Sequence, residues 1–205
     1  MNIATNDNGI TKDAKTQTEI SDLEIKFLNC FNEDVVINKS GRYELKLNND
    51  LNFDEFSFFI SSCKRISVKN ETDICLNDFS IKNDKMVKKY LQQNCLILSN
   101  KSFINDNLSV NENIRIVSLL FTGYDLSNAC VSSFGMQNIA NNKVKILTDA
   151  QKNMMILSYT VCCPSIIWII NKSLLSCLFE NELGFFENAV KIRVKHGGIV
   201  LLIED

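Results

Sequence analysis

The sequence predicts an α/β protein, a parallel core with an added antiparallel β subdomain, on two observations. In the second half, short uninterrupted apolar runs (Cys95 to Leu98, Ile166 to Ile170, Ile199 to Ile203) alternate with helix-period stretches. Strands buried on both faces of a parallel sheet read this way. The first part instead holds short apolar runs separated by turn-forming clusters, the pattern of antiparallel strands.

The elements follow in order. Leu23 to Phe27, Val35 to Ile37 and Tyr43 to Leu47 are expected as strands of one antiparallel sheet, with a turn over 48–50. Phe53, Phe56, Phe59 and Ile60 have helical spacing and predict a helix over about 54–64. Glu71 to Ile81 predicts a strand and turn, with Leu76-Asn77-Asp78-Phe79 as a hairpin tip. A helix from Asp84 to Leu91 and a buried strand over 95–98 come next. Ser109 or Asn111 is suited to cap a helix running through Glu112, Ile114 and Leu120. A second helix is expected over 127–140, and a third after Asp149, carrying Met154, Leu157 and Val161. The strand 166–170 follows. Glu180 to Lys195 reads as a helix ended by Gly197-Gly198, and 199–203 as a last buried strand.

Composition narrows the function classes. The chain has 205 residues, 45% hydrophobic and 22% charged, with a net charge of −2. One domain of ordinary globular character is expected over 22–205, with 1–21 as a disordered tail. Nothing in the charge balance attracts nucleic acid, so no nucleic-acid partner is expected. The eight cysteines lack C-x-x-C spacing and there is a single His, His196, so no metal site is predicted and the thiols read as buried hydrophobes. His196, just before the glycine pair, reads as a helix-terminal residue. Met154 to Ile170 is uncharged, but Pro164 cuts it, which favours a helix end and a buried strand over a membrane span.

Five stretches share an order. They are Leu23 to Leu47, "ETDICLNDFSI" (71–81), "CLILSNKSFINDNLSVNENI" (95–114), "LTDAQKNMMILSYTVCCPSIIWIINKS" (147–173) and "GGIVLLIED" (197–205). In that order they resemble the nucleotide-binding domain of ABC transporters. Trp168 in the strand before Asn171 makes them similar to the heme-exporter subunits of cytochrome c maturation. The resemblance implies an ABC-type nucleotide-binding-domain fold, P-loop NTPase-like in its core, with a helical subdomain near 101–145. It implies ATP and Mg²⁺ as the family's cofactors and an integral membrane permease as partner. It also implies a second such domain meeting the first head to tail. The place would be peripheral, on the inner face of a bacterial-type cytoplasmic membrane or the mitochondrial inner membrane.

The chemistry expected of that family is absent from the sequence. A phosphate-binding loop needs glycines for close backbone approach, a Lys for charge and a Ser or Thr for Mg²⁺. The segment from Leu51 to Ser67 has no Gly, no Lys at the required point, and falls several residues short. Ser57 stands as a remnant of the Ser/Thr position, while Asp54 and Glu55 put negative charge where phosphate would lie. Lys101 takes the place of the Q-loop Gln, Asn171 and Lys172 those of the Walker B Asp and catalytic Glu, and Asp205 that of the H-loop His. Thr148, Asp149, Ala150 and Gln151 keep the signature's position, with Ala for its Gly. The expectation is a degenerate cassette with no catalytic residue intact and no nucleotide bound. The alternatives are an ATPase with divergent motifs and a scaffold unrelated to transport.

Overall fold

Ile167 and Ile169 belong to one hydrophobic core and Trp168 and Ile170 to another, and this two-residue parity organises the molecule. The structure, a computed structural model, describes residues 23–49, 51–62 and 72–205. The expected tail over 1–21 and the start of the Glu71 strand lie outside the described residues.

The strand carrying that parity is β7 (Ile167–Asn171), in a parallel sheet of order β3 (Gly41–Lys46), β8 (Ile199–Glu204), β7 and β6 (Cys95–Leu98). Trp168 lies opposite Leu96 and Val200, and Lys46 opposite Glu204. A second, antiparallel sheet has the order β2 (Val35–Ile37), β1 (Ile25–Leu28), β4 (Asp73–Leu76) and β5 (Phe79–Ser80). Its β4–β5 connection is the expected tip. Asn77 and Asp78 take positive φ of 47° and 69°, as a two-residue hairpin matched to strand twist requires.

Helices α1 (Phe53–Ser62) and α2 (Lys85–Asn94) fill the space between the sheets. Phe53, Phe56, Phe59 and Ile60 of α1 cluster with Ile25 and Phe27 of the antiparallel sheet and with Ile167, Leu201 and Ile203 of the parallel one. The other face of the parallel sheet is covered by α3 (Val110–Thr122), α4 (Ser127–Ser133), α5 (Asp149–Cys162) and α6 (Glu180–Lys195). Ser109 caps α3 in a reciprocal box with Glu112, Asp84 caps α2, and Thr148 caps α5 with Gln151. α5 therefore starts at Asp149 itself.

Two expectations are corrected. Tyr43 to Leu47 does not join the antiparallel sheet; β3 pairs in parallel with β8 along its whole length. Its alternating burial arises because it is the edge strand of the parallel sheet. The helix expected over 127–140 stops at Ser133, because Gly135 adopts φ 63° and the Phe185 ring packs within 2.7 Å of where its Cβ would lie. Only a short 3₁₀ turn, Gln137–Ile139, follows. Cys177 is exposed, against the expectation of uniformly buried thiols; Cys95 is partly buried and the other five described thiols are buried. Among the described residues no helix is long and apolar enough to cross a membrane.

Candidate functional site

The parallel strands end together at Lys46, Glu204, Asn171 and Leu98. In open α/β sheets ligands bind outside such carboxyl ends. The β3–α1 connection and Asp205, just past β8, meet on this rim. Between them lies a cavity of about 410 Å³ whose walls include Lys46, Asn49, Asn52, Glu55 and Asp205.

A phosphate-binding strand–loop–helix reads G-x-x-x-x-G-K-[S/T]. Counted from the end of β3, Leu47 to Asn52 take the loop positions, Phe53 that of the Lys and Asp54 that of the Ser or Thr. The connection has full length, which corrects the expectation of a shortened one. Ser57 lies one turn beyond that position, inside α1, its hydroxyl donating to the Asp54 carbonyl at 2.9 Å.

An anion-binding loop works by converging free backbone N–H groups. Here the N–H groups of Leu47, Asn48, Leu51, Asn52 and Phe53 donate within the chain. Leu47 N–H donates to the Glu204 carbonyl at 2.9 Å, Asn48 N–H to Cys30 at 3.2 Å and Leu51 N–H to Asn48 at 3.1 Å. Asn52 N–H donates to the Glu55 carboxylate at 3.2 Å, and Glu55 N–H returns to the Asn52 side chain at 3.0 Å. This is a capping box at the start of α1. Phe53 N–H donates to the Asp205 carboxylate at 2.5 Å. Two carboxylates thus occupy the positive end of α1, where a phosphate would otherwise gain most. Asp205→Ala is expected to cost about 1 kcal/mol, the size of a lost helix cap, read as a fall in urea midpoint.

The remaining residues on the rim pair with one another. Lys101 forms an ion pair with Asp54, tying the segment after β6 to the first turn of α1. Lys172 reaches Glu44 at 3.0 Å and Glu204 at 3.4 Å. The Lys172 hydrogen bond holds the Glu44 carboxyl below its usual range. That link is therefore complete above the ordinary carboxylate range and weakens as pH falls through the lowered value. Asn171 accepts from Ser173 N–H at 2.9 Å, capping the turn that follows β7. Lys101, Asn171, Lys172 and Asp205 are thus brought to one rim. Thr148 and Gln151 stand apart from it at the start of α5, bonded to each other, with Asp149 and Ala150 in the same first turn.

Sequence reasoning missed three features of this rim: Phe53 at the Lys position, the Glu55–Asn52 box and the reach of Asp205 to α1. Of these only the box had a local signal, the Asn-x-x-Glu spacing ahead of an apolar run.

Among solved structures, an ABC transporter ATP-binding protein from Pyrococcus furiosus superposes with a TM-score of 0.62 at 14% identity, over 89% of this chain and 90% of that one. The chain has an ABC ATPase-like fold. An ATP-binding subunit of an ABC transporter aligns with this cassette-like chain at TM-score 0.65 and 11% identity, over 89% of this chain and 78% of that one. An ATP-binding cassette solved as a dimer after hydrolysis, with ADP and phosphate, aligns at 0.64 and 11%, over 88% and 87%. No family model and no curated protein matches the chain.

Proposed function

We propose that this chain is the cassette subunit of a membrane transporter, of the heme-export type found in cytochrome c maturation, and that it does not bind or hydrolyse MgATP. The observation that carries the second half is the fate of the N–H groups of Leu47, Asn48, Leu51, Asn52 and Phe53, which donate to the chain's own carbonyls and to the carboxylates of Glu55 and Asp205. The residues present do not fit MgATP. Phosphoryl transfer rests on positioning and charge stabilisation. At the positions that supply these, the chain has buried Phe53, the Asp54–Lys101 pair and the capping Asn171. Trp168 and the order of the five stretches support the heme-export type. Against this stands the reading of an ATPase with divergent motifs; phosphate release by the purified chain, abolished in Asn171→Ala, would establish it.

Docking on a permease is supported by the helical layer. Leu120 and Tyr124 are 78% and 73% exposed, and Phe103 and Phe121 are 58% and 43% exposed. Phe103, Leu120 and Phe121 border a groove of about 290 Å³ whose walls also include Leu98 and Val117. Exposed apolar clusters of this kind mark interaction surfaces. The segment after β6 joins the groove to the rim, since it carries both Phe103 and Lys101. The chain would then sit peripherally on the inner face of the membrane. The start of α5, Thr148 to Gln151, with Thr148 and Asp149 exposed, would face a second cassette if the pair meets head to tail. Leu120→Asp with Phe121→Asp is expected to move the chain from the membrane pellet to the supernatant in sedimentation from its native cells, with no fall in Tm. An unchanged pellet fraction would remove this groove from the docking surface.

A further inference from the structure

The far side of the parallel sheet holds a second cavity, of about 410 Å³, between β7, α5 and α6 and the end of α4. That volume falls within the range of small-molecule sites, about 300–1,000 Å³. Trp168 forms part of its wall. The residue is 2% exposed, and its indole Nε1–H has no hydrogen-bond partner among the described residues. Arg193 lies over the indole ring, its guanidinium carbon 4.9 Å from the ring centroid. One terminal nitrogen donates to the Cys163 carbonyl at 3.0 Å, but the buried Nε–H is also unpartnered.

Buried donors are nearly always paired, and each unpaired one is unfavourable. Both donors belong to side chains that line the cavity but lie beneath its surface, so the charge of Arg193 is what the cavity offers a ligand. The rest of the wall sets Val161, Phe185, Ala189 and Ile192 beside Ser133, Asn188 and His196, and no Asp or Glu lines it. The Thr160 hydroxyl, also on the wall, already donates to the Leu157 carbonyl at 2.6 Å. Arg193 is held in place from behind. α6 ends with Gly197 at φ 82° and with Gly198 N–H donating to the Arg193 carbonyl at 2.9 Å. A Cβ on Gly198 would come within 2.3 Å of Arg193 Cδ, so the glycine lets the side chain lie flat against the turn.

We propose that this cavity binds a small carboxylate with an apolar body, its charge held by the Arg193 guanidinium on the wall. One guanidinium on a wall without Asp or Glu matches a monoanion, and Val161, Phe185, Ala189 and Ile192 suit an apolar body. The site lies on the opposite face of the sheet from α1 and is independent of the transport reading.

The chain has one tryptophan, so its emission reports on this cavity alone. Octanoate titrated into the full chain is expected to change Trp168 emission saturably, with octylamine at least tenfold weaker. Arg193→Met is expected to weaken octanoate at least tenfold. Ala189→Phe, which fills the space, is expected to abolish the response and serves if Arg193→Met fails to fold by circular dichroism. No saturable change with octanoate would overturn the proposal. So would equal responses to octanoate, octanol and octylamine, which signify partition onto apolar surface, or an octanoate response that survives both variants.

Discussion

Phe53→Lys destabilises the fold by at least about 3 kcal/mol and leaves MgATP unbound. The substitution restores a lysine where the strand–loop–helix pattern would hold one. Phe53 is 1% exposed, however, in the core that joins α1 to both sheets. Its removal forfeits the burial of an aromatic ring, and the new ammonium lies among apolar side chains with no partner. Around it, Phe56 sits 6.1 Å from Phe27 and 5.8 Å from Phe31 between ring centroids, so the first turns of α1 are anchored by ring contacts. Urea denaturation measures the loss. If the start of α1 were instead a working phosphate loop, a lysine there would face the cavity, the midpoint would hold, and nucleotide affinity would appear.

Trp168→Ala lowers stability by about 3–5 kcal/mol. Trp168 stands on a central strand between Leu96 and Val200 and is among the largest fully buried side chains in the molecule. Truncation opens a void on the face covered by α5 and α6 and removes the ring over which Arg193 lies. The effect is much smaller for Trp168→Phe, which keeps an aromatic body and deletes an indole N–H that has no partner. The ratio of the two losses, read from denaturant midpoints with unchanged slope, separates packing from hydrogen bonding at this position.

Much of the fold was legible because its signals are local. Uninterrupted runs mark strands buried on both faces, as Ile167 to Ile170 and Ile199 to Ile203 are, whereas Cys95 to Leu98 is an edge strand with one face partly buried. Ser109 caps its helix as its spacing with Glu112 suggests. β3 was misplaced because an edge strand of a parallel sheet alternates in burial as an antiparallel strand does, and its partner, β8, lies far along the chain. The break after Ser133 was missed because the packing of Phe185 against Gly135 is a tertiary fact.

The rim divides in the same way. Lys101, Asn171, Lys172 and Asp205 are named in the sequence by the resemblance, from their positions in stretches that end buried strands. That Lys101 pairs with Asp54 and Asp205 with the start of α1 depends on contacts across the sheet. The loop residues named their types but not the destinations of their N–H groups, which follow only from the fold.

Equilibrium dialysis of the purified chain against labelled ATP with Mg²⁺, at millimolar nucleotide, tests the central claim most directly. The account predicts no retained nucleotide above the level seen with an unrelated protein of equal charge, because Glu55 and Asp205 already fill the positive end of α1. One nucleotide held per chain, displaced by ADP and lost when residues 47–53 are altered, would contradict it.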